Sequence, residues 1–169
     1  MGDFNFMSVL NNSSELALHN TANQILDCNQ TTEQYGLVLS KDQALSLSKT
    51  RGRVLKETGR IEPAESAVKK IICAFCDSVY IDSNNYEDTL HELIEIFYTY
   101  KNETLDMLSD NQLISFMKAA FDGPCRGSAE LLQSRELEAL SAHLKSGKTL
   151  KEFLIPSESD TENDNGQEY

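Results

Sequence analysis

Apolar side chains recur at helical spacing through almost the whole 169-residue chain, and the strict alternation typical of a half-buried strand is nearly absent. The most regular segment runs from Tyr86 to Leu108. At about 100° per residue, its apolar side chains fall within one narrow arc: Tyr86, Leu90, Leu93, Phe97, Tyr100 and Leu108. This pattern predicts a surface helix that packs one apolar face on a core formed with other helices. We therefore predict an all-α fold, a single irregular bundle of about five to seven helices over residues 1–155.

Capping signals mark several helix boundaries. Ser40 with Gln43 and Ser109 with Gln112 fit capping boxes at two helix starts, and a Gly123–Pro124 pair fits a helix stop. Pro63 stands where a helix favours its first residue. The predicted helices include 14–27, 40–59, 63–76 and 86–108.

The apolar pattern changes phase after Ser128. Leu131 and Leu132 lie on a different side of a helical wheel from the later leucines, which are Leu137, Leu140 and Leu144. A straight α-helix cannot bury both sets on one face. We therefore predict that the helix breaks near Ser134.

The last residues differ in composition from the rest. Residues 157–169 contain five acids, no base and no aliphatic side chain. Such a segment has too little apolar surface to offset the entropy lost on ordering. We predict a disordered acidic tail over residues 156–169.

The charge balance excludes two classes of partner. A net charge of -12 repels nucleic acid and anionic membrane surfaces, which are bound mainly through Lys and Arg. The longest apolar run, 71–76, is far shorter than the roughly 20 residues needed to cross a bilayer. Because an acid stands near the N-terminus where an export signal would carry bases, we expect a cytoplasmic protein whose four cysteines are reduced thiols.

Several short stretches resemble one known family. They are Glu33–Leu37, Phe75–Asp82, Ile96–Glu103, Leu113–Met117 and Phe121–Gly123. In this order they resemble a family of short, uncharacterised proteins of Gram-positive bacteria that is classified as a domain of unknown function. The resemblance covers residues 33–132 and implies a bacterial, cytoplasmic helical domain. It implies no activity and assigns no functional residue.

Two motif matches have the wrong surroundings for their usual chemistry. Residues 142–149 fit a permissive phosphate-binding loop, but a helix precedes Gly147 where a true loop follows a buried strand, so Gly147 is better explained as a helix C-cap. Cys73 and Cys76 have redox or zinc spacing, but they lie at the predicted end of a helix, where the dipole opposes thiolate formation. We predict no cofactor and no metal, and these two cysteines are the candidate ligands if a metal is bound. Cys73 projects away from its helix's apolar stripe, towards either solvent or a second packed element.

A basic stripe lies on the predicted second helix. Its four residues, Lys49, Arg53, Lys56 and Arg60, fall within an arc of about 60°. One interpretation is a solvated face balanced by neighbouring acids. The other is a docking surface for an acidic partner or for the acidic tail. We also expect the polar face of residues 87–106, which includes His91, to be solvated rather than to hold a di-metal site, because only one Asp-x-x-His pair is present.

Arg51 projects into the apolar side of the same helix, among Ala44, Leu47, Val54 and Leu55. A charge in that position needs a partner. We expect either a buried ion pair with a carboxylate or, in an open pocket, a clamp for a carboxylate or phosphate ligand.

No catalytic constellation is visible in the sequence, which favours a non-enzymatic role. We therefore predict a cytoplasmic protein-interaction module that binds a protein partner through the basic stripe or through an apolar groove. The alternative is a binding protein or enzyme for a small anionic ligand, built around Arg51.

Overall fold

The computed structural model describes residues 6–62 and 65–155. Within these ranges every regular element is helical and no strand is present, which confirms the predicted all-α class. The α-helices are α1 (Phe6–Asp27), α2 (Asn29–Thr32), α3 (Lys41–Glu57), α4 (Ala67–Phe75), α5 (Tyr86–Glu103), α6 (Asp110–Asp122), α7 (Ala129–Leu131), α8 (Glu138–Lys145) and α9 (Leu150–Leu154). A 3-10 turn covers Glu33–Tyr35, and a π-helical segment, Leu132–Leu137, joins α7 to α8.

The helix boundaries follow the capping signals at two of the predicted starts. Ser40 accepts a hydrogen bond from the Gln43 amide and Ser109 from the Gln112 amide, and each Gln side chain returns a bond to the cap, so both capping boxes are complete. α4 begins at Ala67, capped by Ser66, which is later than the predicted start at Pro63. Pro63 itself lies outside the described residues.

Two other helices differ in length from their prediction. α1 begins at Phe6 rather than at residue 14. α5 ends at Glu103 rather than at Leu108, because the chain takes left-handed backbone conformations at Leu105 and Asp106, each with φ of 54°. A left-handed residue ends an α-helix. Asp adopts this conformation more often than most residues, but Leu rarely does, so Leu105 gives no signal of it in the sequence.

α5 lies at the centre of the bundle rather than on its surface. It packs on α3, α4, α6 and α7, and its buried side chains lie on several sides of the helix. The prediction of a surface helix with one apolar arc is therefore wrong for α5. Ile94, Ile96 and Tyr98 lie outside the predicted arc and are buried as well.

The phase change after Ser128 is produced by the π-helical segment. A π-helical turn holds an extra residue, so it rotates the side chains that follow without interrupting the helix. Leu132 on one side and Leu137, Leu140 and Leu144 on the other are all buried. The predicted break near Ser134 is therefore wrong, although the phase change on which it rested is real.

The turn between α6 and α7 is tightly packed at Gly127. This glycine has φ of 80°, and a β-carbon built on it would lie 2.4 Å from the Cβ atom of Tyr80. Only glycine fits both the backbone conformation and the space. The turn thereby fixes where α7 and the π-helical segment begin relative to α6.

The two remaining predictions concern the acidic tail and membrane-spanning helices. Residues 156–169 lie outside the described residues, so the disordered tail stays a prediction. In the part of the chain that the structure covers, no helix has both the length and the apolar run required to span a membrane.

Candidate functional site

The basic stripe lies beside α5, and two of its four residues form ion pairs with acidic side chains there. Arg53 binds Glu57 on its own helix and Glu95 on α5. Arg60, just beyond α3, donates to Asp106 at 2.7 Å and to Asn102 at 2.7 Å.

The other two members of the stripe, Lys49 and Lys56, are exposed. Neither has an ion-pair partner among residues 6–62 and 65–155. The stripe therefore offers two free cations rather than four.

The same contacts continue along α3 and α5 as a polar seam. The seam consists of Gln43, Ser46, Thr50, Arg53 and Arg60 facing Glu87, His91, Glu95, Asn102 and Asp106. Gln43 donates to Glu87 at 3.0 Å, and the His91 ring nitrogens lie 3.3 Å from the Ser46 hydroxyl and 2.7 Å from that of Thr50. α3 covers part of the polar face that we predicted to be solvated: the His91 side chain is 25% exposed, whereas those of Glu95 and Asp106 are 47% and 57% exposed.

The end of the seam near Asp106 is the most strongly charged part. The Arg60 guanidinium, with Lys101 close by, holds the pKa of the Asp106 carboxyl below its usual value. Lys101 is buried and donates to the Leu108 carbonyl oxygen at 2.7 Å and to Asp110 at 3.0 Å. These bonds fix the loop after α5 and leave no free cation there.

Arg51 lies in a network of buried polar groups. Its Nε and Nη2 atoms each lie 2.9 Å from Oε1 of Glu62, and its Nη1 donates to the Thr21 hydroxyl at 3.2 Å. Both charged side chains are largely buried, at 13% and 12% exposure. The other Glu62 oxygen accepts a 2.5 Å hydrogen bond from Tyr98, whose pKa is raised by burial and by Glu62.

A cleft of about 400 Å³ opens beside this network, between α1, Arg51 and Glu62. The guanidinium that would hold an anion there is already bonded to Glu62 and Thr21. An anionic ligand would therefore have to displace the Glu62 carboxylate.

The Cys73–Cys76 pair lies at the C-terminal end of α4, as the sequence indicates. Cys73 is exposed, and Cys76 is buried with its pKa raised by burial. Within the described ranges, no group of three or more His, Cys, Asp or Glu side chains is arranged to hold a metal ion.

The segment that fits the phosphate-binding loop connects two helices, α8 and α9, rather than a strand and a helix. α8 ends at Lys145, and Gly147 has φ of 84°, with its amide bonded to the Leu144 carbonyl oxygen at 3.0 Å. A true phosphate-binding loop follows a buried strand, whereas here α8 precedes the glycine, and the helix that follows, α9, has only five residues and is capped by Thr149.

An apolar groove of about 620 Å³ runs between α6 and α9. We define it by its lining residues, which are Asn111, Gln112, Ser115, Phe116, Ala119, Ala120, Pro124, Glu136, Leu150, Phe153 and Leu154. Phe116 and Phe153 meet edge to face with ring centroids 5.8 Å apart, and the His143 ring also packs edge to face on Phe153, at a centroid distance of 5.1 Å. Leu154 and Ile155 remain 60% and 55% exposed at the edge.

A second recess of about 360 Å³ continues from the groove at Gln112 and Leu150. We call it the lysine recess, because Lys148 and Lys151 lie on its rim, with Met107 and Leu144 among its apolar residues. Both lysines are exposed, and neither has an ion-pair partner in the described residues. The groove therefore has unpaired positive charge at one end.

The sequence predicts an apolar groove but does not show where it lies. Its residues belong to α6 and α9, whose wheels show ordinary apolar faces, and the groove arises because α9 covers only part of α6. The nearest signal in the sequence was the pair of bulky apolar residues, Leu154 and Ile155, at the very end of the apolar pattern.

Comparison with known protein families finds one match. It covers residues 24–150, and the family is described as a family of unknown function, DUF6323. No curated protein and no solved structure matches the chain.

Proposed function

The chain belongs to the DUF6323 family of unknown function, and we propose that it is a non-catalytic cytoplasmic protein that binds an amphipathic helix of another protein in its apolar groove. The groove is the single observation that carries this proposal. An α-helix presents apolar side chains at i, i+3, i+4 and i+7, and grooves between helices accept such a face in many complexes.

The apolar surface of the groove suits this occupant. A helix face docks through a few bulky side chains, and Phe116 and Phe153 form an aromatic floor for them. Leu154, which lines the groove, is 60% exposed, and the neighbouring Ile155 extends the apolar surface beyond the groove. An apolar patch left open in this way is typical of a surface that another molecule covers.

The charges near the groove select the partner further. Lys148 and Lys151 are free at the lysine recess, whereas Glu136, the acid that lines the groove, is bonded to Arg135. The partner helix therefore carries one or two acidic residues at the end that lies over the lysine recess. The overall charge of -12 opposes the approach of an acidic partner, so the affinity rests mainly on apolar contact.

The basic stripe is the less suitable surface for the same function. Arg53 and Arg60 already bind acids of α5, and only Lys49 and Lys56 are free to meet a partner among the residues described. We therefore assign the interaction to the groove.

The alternative of an anionic small molecule at Arg51 has its own test. Replacing Arg51 with Met removes the guanidinium, and a folded variant that loses affinity for an anion bound by the native protein would support the cleft. Loss of stability without loss of affinity would assign Arg51 a structural role.

The groove is tested with a photo-crosslinking amino acid at position 119 in cells that produce the protein. Ala119 is exposed on α6 and lines the groove. Val38 is the matched control site, because its side chain is 59% exposed and it lies outside the groove. We expect position 119, and not position 38, to crosslink to one protein, and the crosslinked segment to be an amphipathic helix with acids at one end.

A synthetic peptide of that segment then allows a quantitative test. Ala119→Glu and Leu154→Glu should each weaken its binding at least tenfold, while Val38→Glu leaves it unchanged. Equal crosslinking at both sites, or a segment with no apolar helix face, would contradict the proposal.

A further inference from the structure

The part of the chain that the structure describes ends beside the lysine recess. α9, which carries Lys151, ends at Leu154, and Ile155 takes an extended conformation with φ of -86° and ψ of 119°. Pro156 follows, and a proline disfavours the helical conformation in the residue before it. Since a helix rises about 1.5 Å per residue, the acidic tail, residues 156–169, begins about 6 Å along the chain axis from a lysine on the rim of the recess.

The acidic tail carries negative side-chain charge only. Its acids are Glu158, Asp160, Glu162, Asp164 and Glu168, and no Lys or Arg accompanies them. The first four stand at every second position. An extended chain presents such residues on one side, about 7 Å apart. The tail can therefore offer two neighbouring carboxylates at once to a pair of cations.

Lys148 and Lys151 are a suitable pair of cations at the recess. Both are exposed, and neither has an ion-pair partner in the described residues. Glu152 is the one acid between Lys151 and the tail in the sequence. It accepts hydrogen bonds from the Thr149 amide at 2.6 Å and from the Thr149 hydroxyl at 3.0 Å, so it belongs to the cap of α9. Within the described part of the chain, the rim thus keeps two lysines without a salt bridge.

The length and the attachment of the tail favour the recess over the basic stripe. Residues 156–169 span up to about 50 Å when extended, far more than the distance back to the rim. A ligand tethered by a short linker has an effective concentration in the millimolar range, so even a weak charged contact is populated. Lys49 and Lys56 of the basic stripe lie on α3, which packs on α1 and α5, whereas α9 packs on α8.

We propose that the acidic tail docks through its carboxylates on Lys148 and Lys151 and covers the lysine recess. A partner helix whose acidic end lies over the same lysines has to displace the tail, so the tail lowers the affinity of the groove for its partner. This competition rests on the function proposed above, whereas the docking does not. The contact joins exposed charges, so salt weakens it.

The docking is tested by NMR of the methionine methyl groups in the full chain. Met107 lines the recess and is 46% exposed, while Met117 is fully buried and serves as the control. The neutral-tail variant replaces the five acids with their amides: Glu158→Gln, Asp160→Asn, Glu162→Gln, Asp164→Asn and Glu168→Gln. We expect the Met107 signal to differ between this variant and the native protein, and the Met117 signal to stay the same. Salt at about 0.5 M should move the native Met107 signal towards its position in the variant. An unchanged Met107 signal would overturn the docking.

Two matched double variants identify the lysines that the tail contacts. Lys148→Gln with Lys151→Gln and Lys49→Gln with Lys56→Gln each remove two exposed positive charges. In the first background, neutralising the tail should no longer shift the Met107 signal. In the second, it should shift that signal as in the native protein. The reverse result would place the tail on the basic stripe and contradict the proposal.

The competition is tested with the synthetic groove peptide described above. The neutral-tail variant should bind it about twofold to tenfold more tightly than the native protein does, the range for the loss of two surface ion pairs. This gain should vanish in the Lys148→Gln, Lys151→Gln background, and a gain that persists there would be a long-range charge effect and would overturn the competition. If Met107 responds to the tail but the affinity does not change, the docking holds and the competition is wrong. If crosslinking at position 119 yields no partner helix, the proposed function fails, while the Met107 signal still decides the docking.

Discussion

The polar seam is conspicuous in the sequence but is largely paired within the fold, whereas the apolar groove is inconspicuous in the sequence but stays open at the surface. The seam carries the most conspicuous charges of the chain, yet α3 and α5 bind most of them to each other. The groove is lined by ordinary residues, yet it stays open because the short α9 covers only part of α6. Charged residues on the faces of neighbouring helices therefore indicate which side chains pair with each other. An open apolar surface depends instead on whether a neighbouring helix is long enough to cover it.

The largest effect is expected at the buried ion pair between Arg51 and Glu62. Replacing Glu62 with Gln leaves the Arg51 guanidinium buried without its carboxylate, and removing one partner of a buried ion pair costs about 3–5 kcal/mol. Urea unfolding measures this loss. The double variant Arg51→Met with Glu62→Leu should recover much of it, because no charge is then left unpaired.

If Glu62→Gln is as stable as the native protein, Arg51 does not depend on its internal partner. The cleft beside Arg51 would then be a better candidate for an anion site. The charged residues would no longer differ from the apolar groove in being satisfied within the fold.

The second effect belongs to the groove. Ala119→Glu places a charge among apolar residues, and a tenfold loss of partner affinity corresponds to about 1.4 kcal/mol of binding free energy. Because position 119 is an exposed helix position, the free energy of unfolding should change by less than about 0.5 kcal/mol. Calorimetric titration and urea unfolding separate the two quantities.

A third, smaller effect tests the seam at its partly exposed end. Arg60→Ala removes the hydrogen bonds to Asn102 and Asp106 and should lower the free energy of unfolding by about 0.2–1 kcal/mol, the range for ion pairs near the surface. Lys56→Ala is the matched control on the same stripe, and we expect no measurable change. Equal effects at both positions would mean that pairing across the seam contributes nothing.

The smallest effect is the pH dependence of the same pair. The pKa of Asp106 is lowered in the folded protein, first by the hydrogen bond from Arg60. Its contribution is therefore fully present above the ordinary carboxyl pKa near 4 and is lost as the pH falls through the lower folded value. Urea midpoints between pH 5 and 2 should fall less steeply in Arg60→Ala, and an unchanged slope would contradict the assignment.

Helix class and capping were predictable because they depend on local patterns. Ser40 and Ser109 cap through their own side chains, so the sequence specifies these two starts. The length of α5 was not predictable, since it ends where Leu105 and Asp106 adopt left-handed conformations held by the tertiary structure.

The site was less predictable than the fold. Arg51 required a carboxylate, but Glu62 lies in the connection after α3, and no periodicity relates the two residues. The phase change in residues 128–144 was visible, but a π-helical turn and a broken helix produce the same pattern. The groove depends on how far α9 extends over α6, which is a property of packing rather than of any one segment.

α9 is a wall of the groove that the fold holds weakly. It is five residues long, has no buried residue, and is held by a capping box from Thr149 and by the contacts of Phe153 with Phe116 and His143. Its backbone amides should exchange with deuterium faster than those of α5, and binding of a partner helix should slow them. A bound partner helix would then order α9, and the rate of deuterium exchange in α9 would measure how much of the groove is occupied.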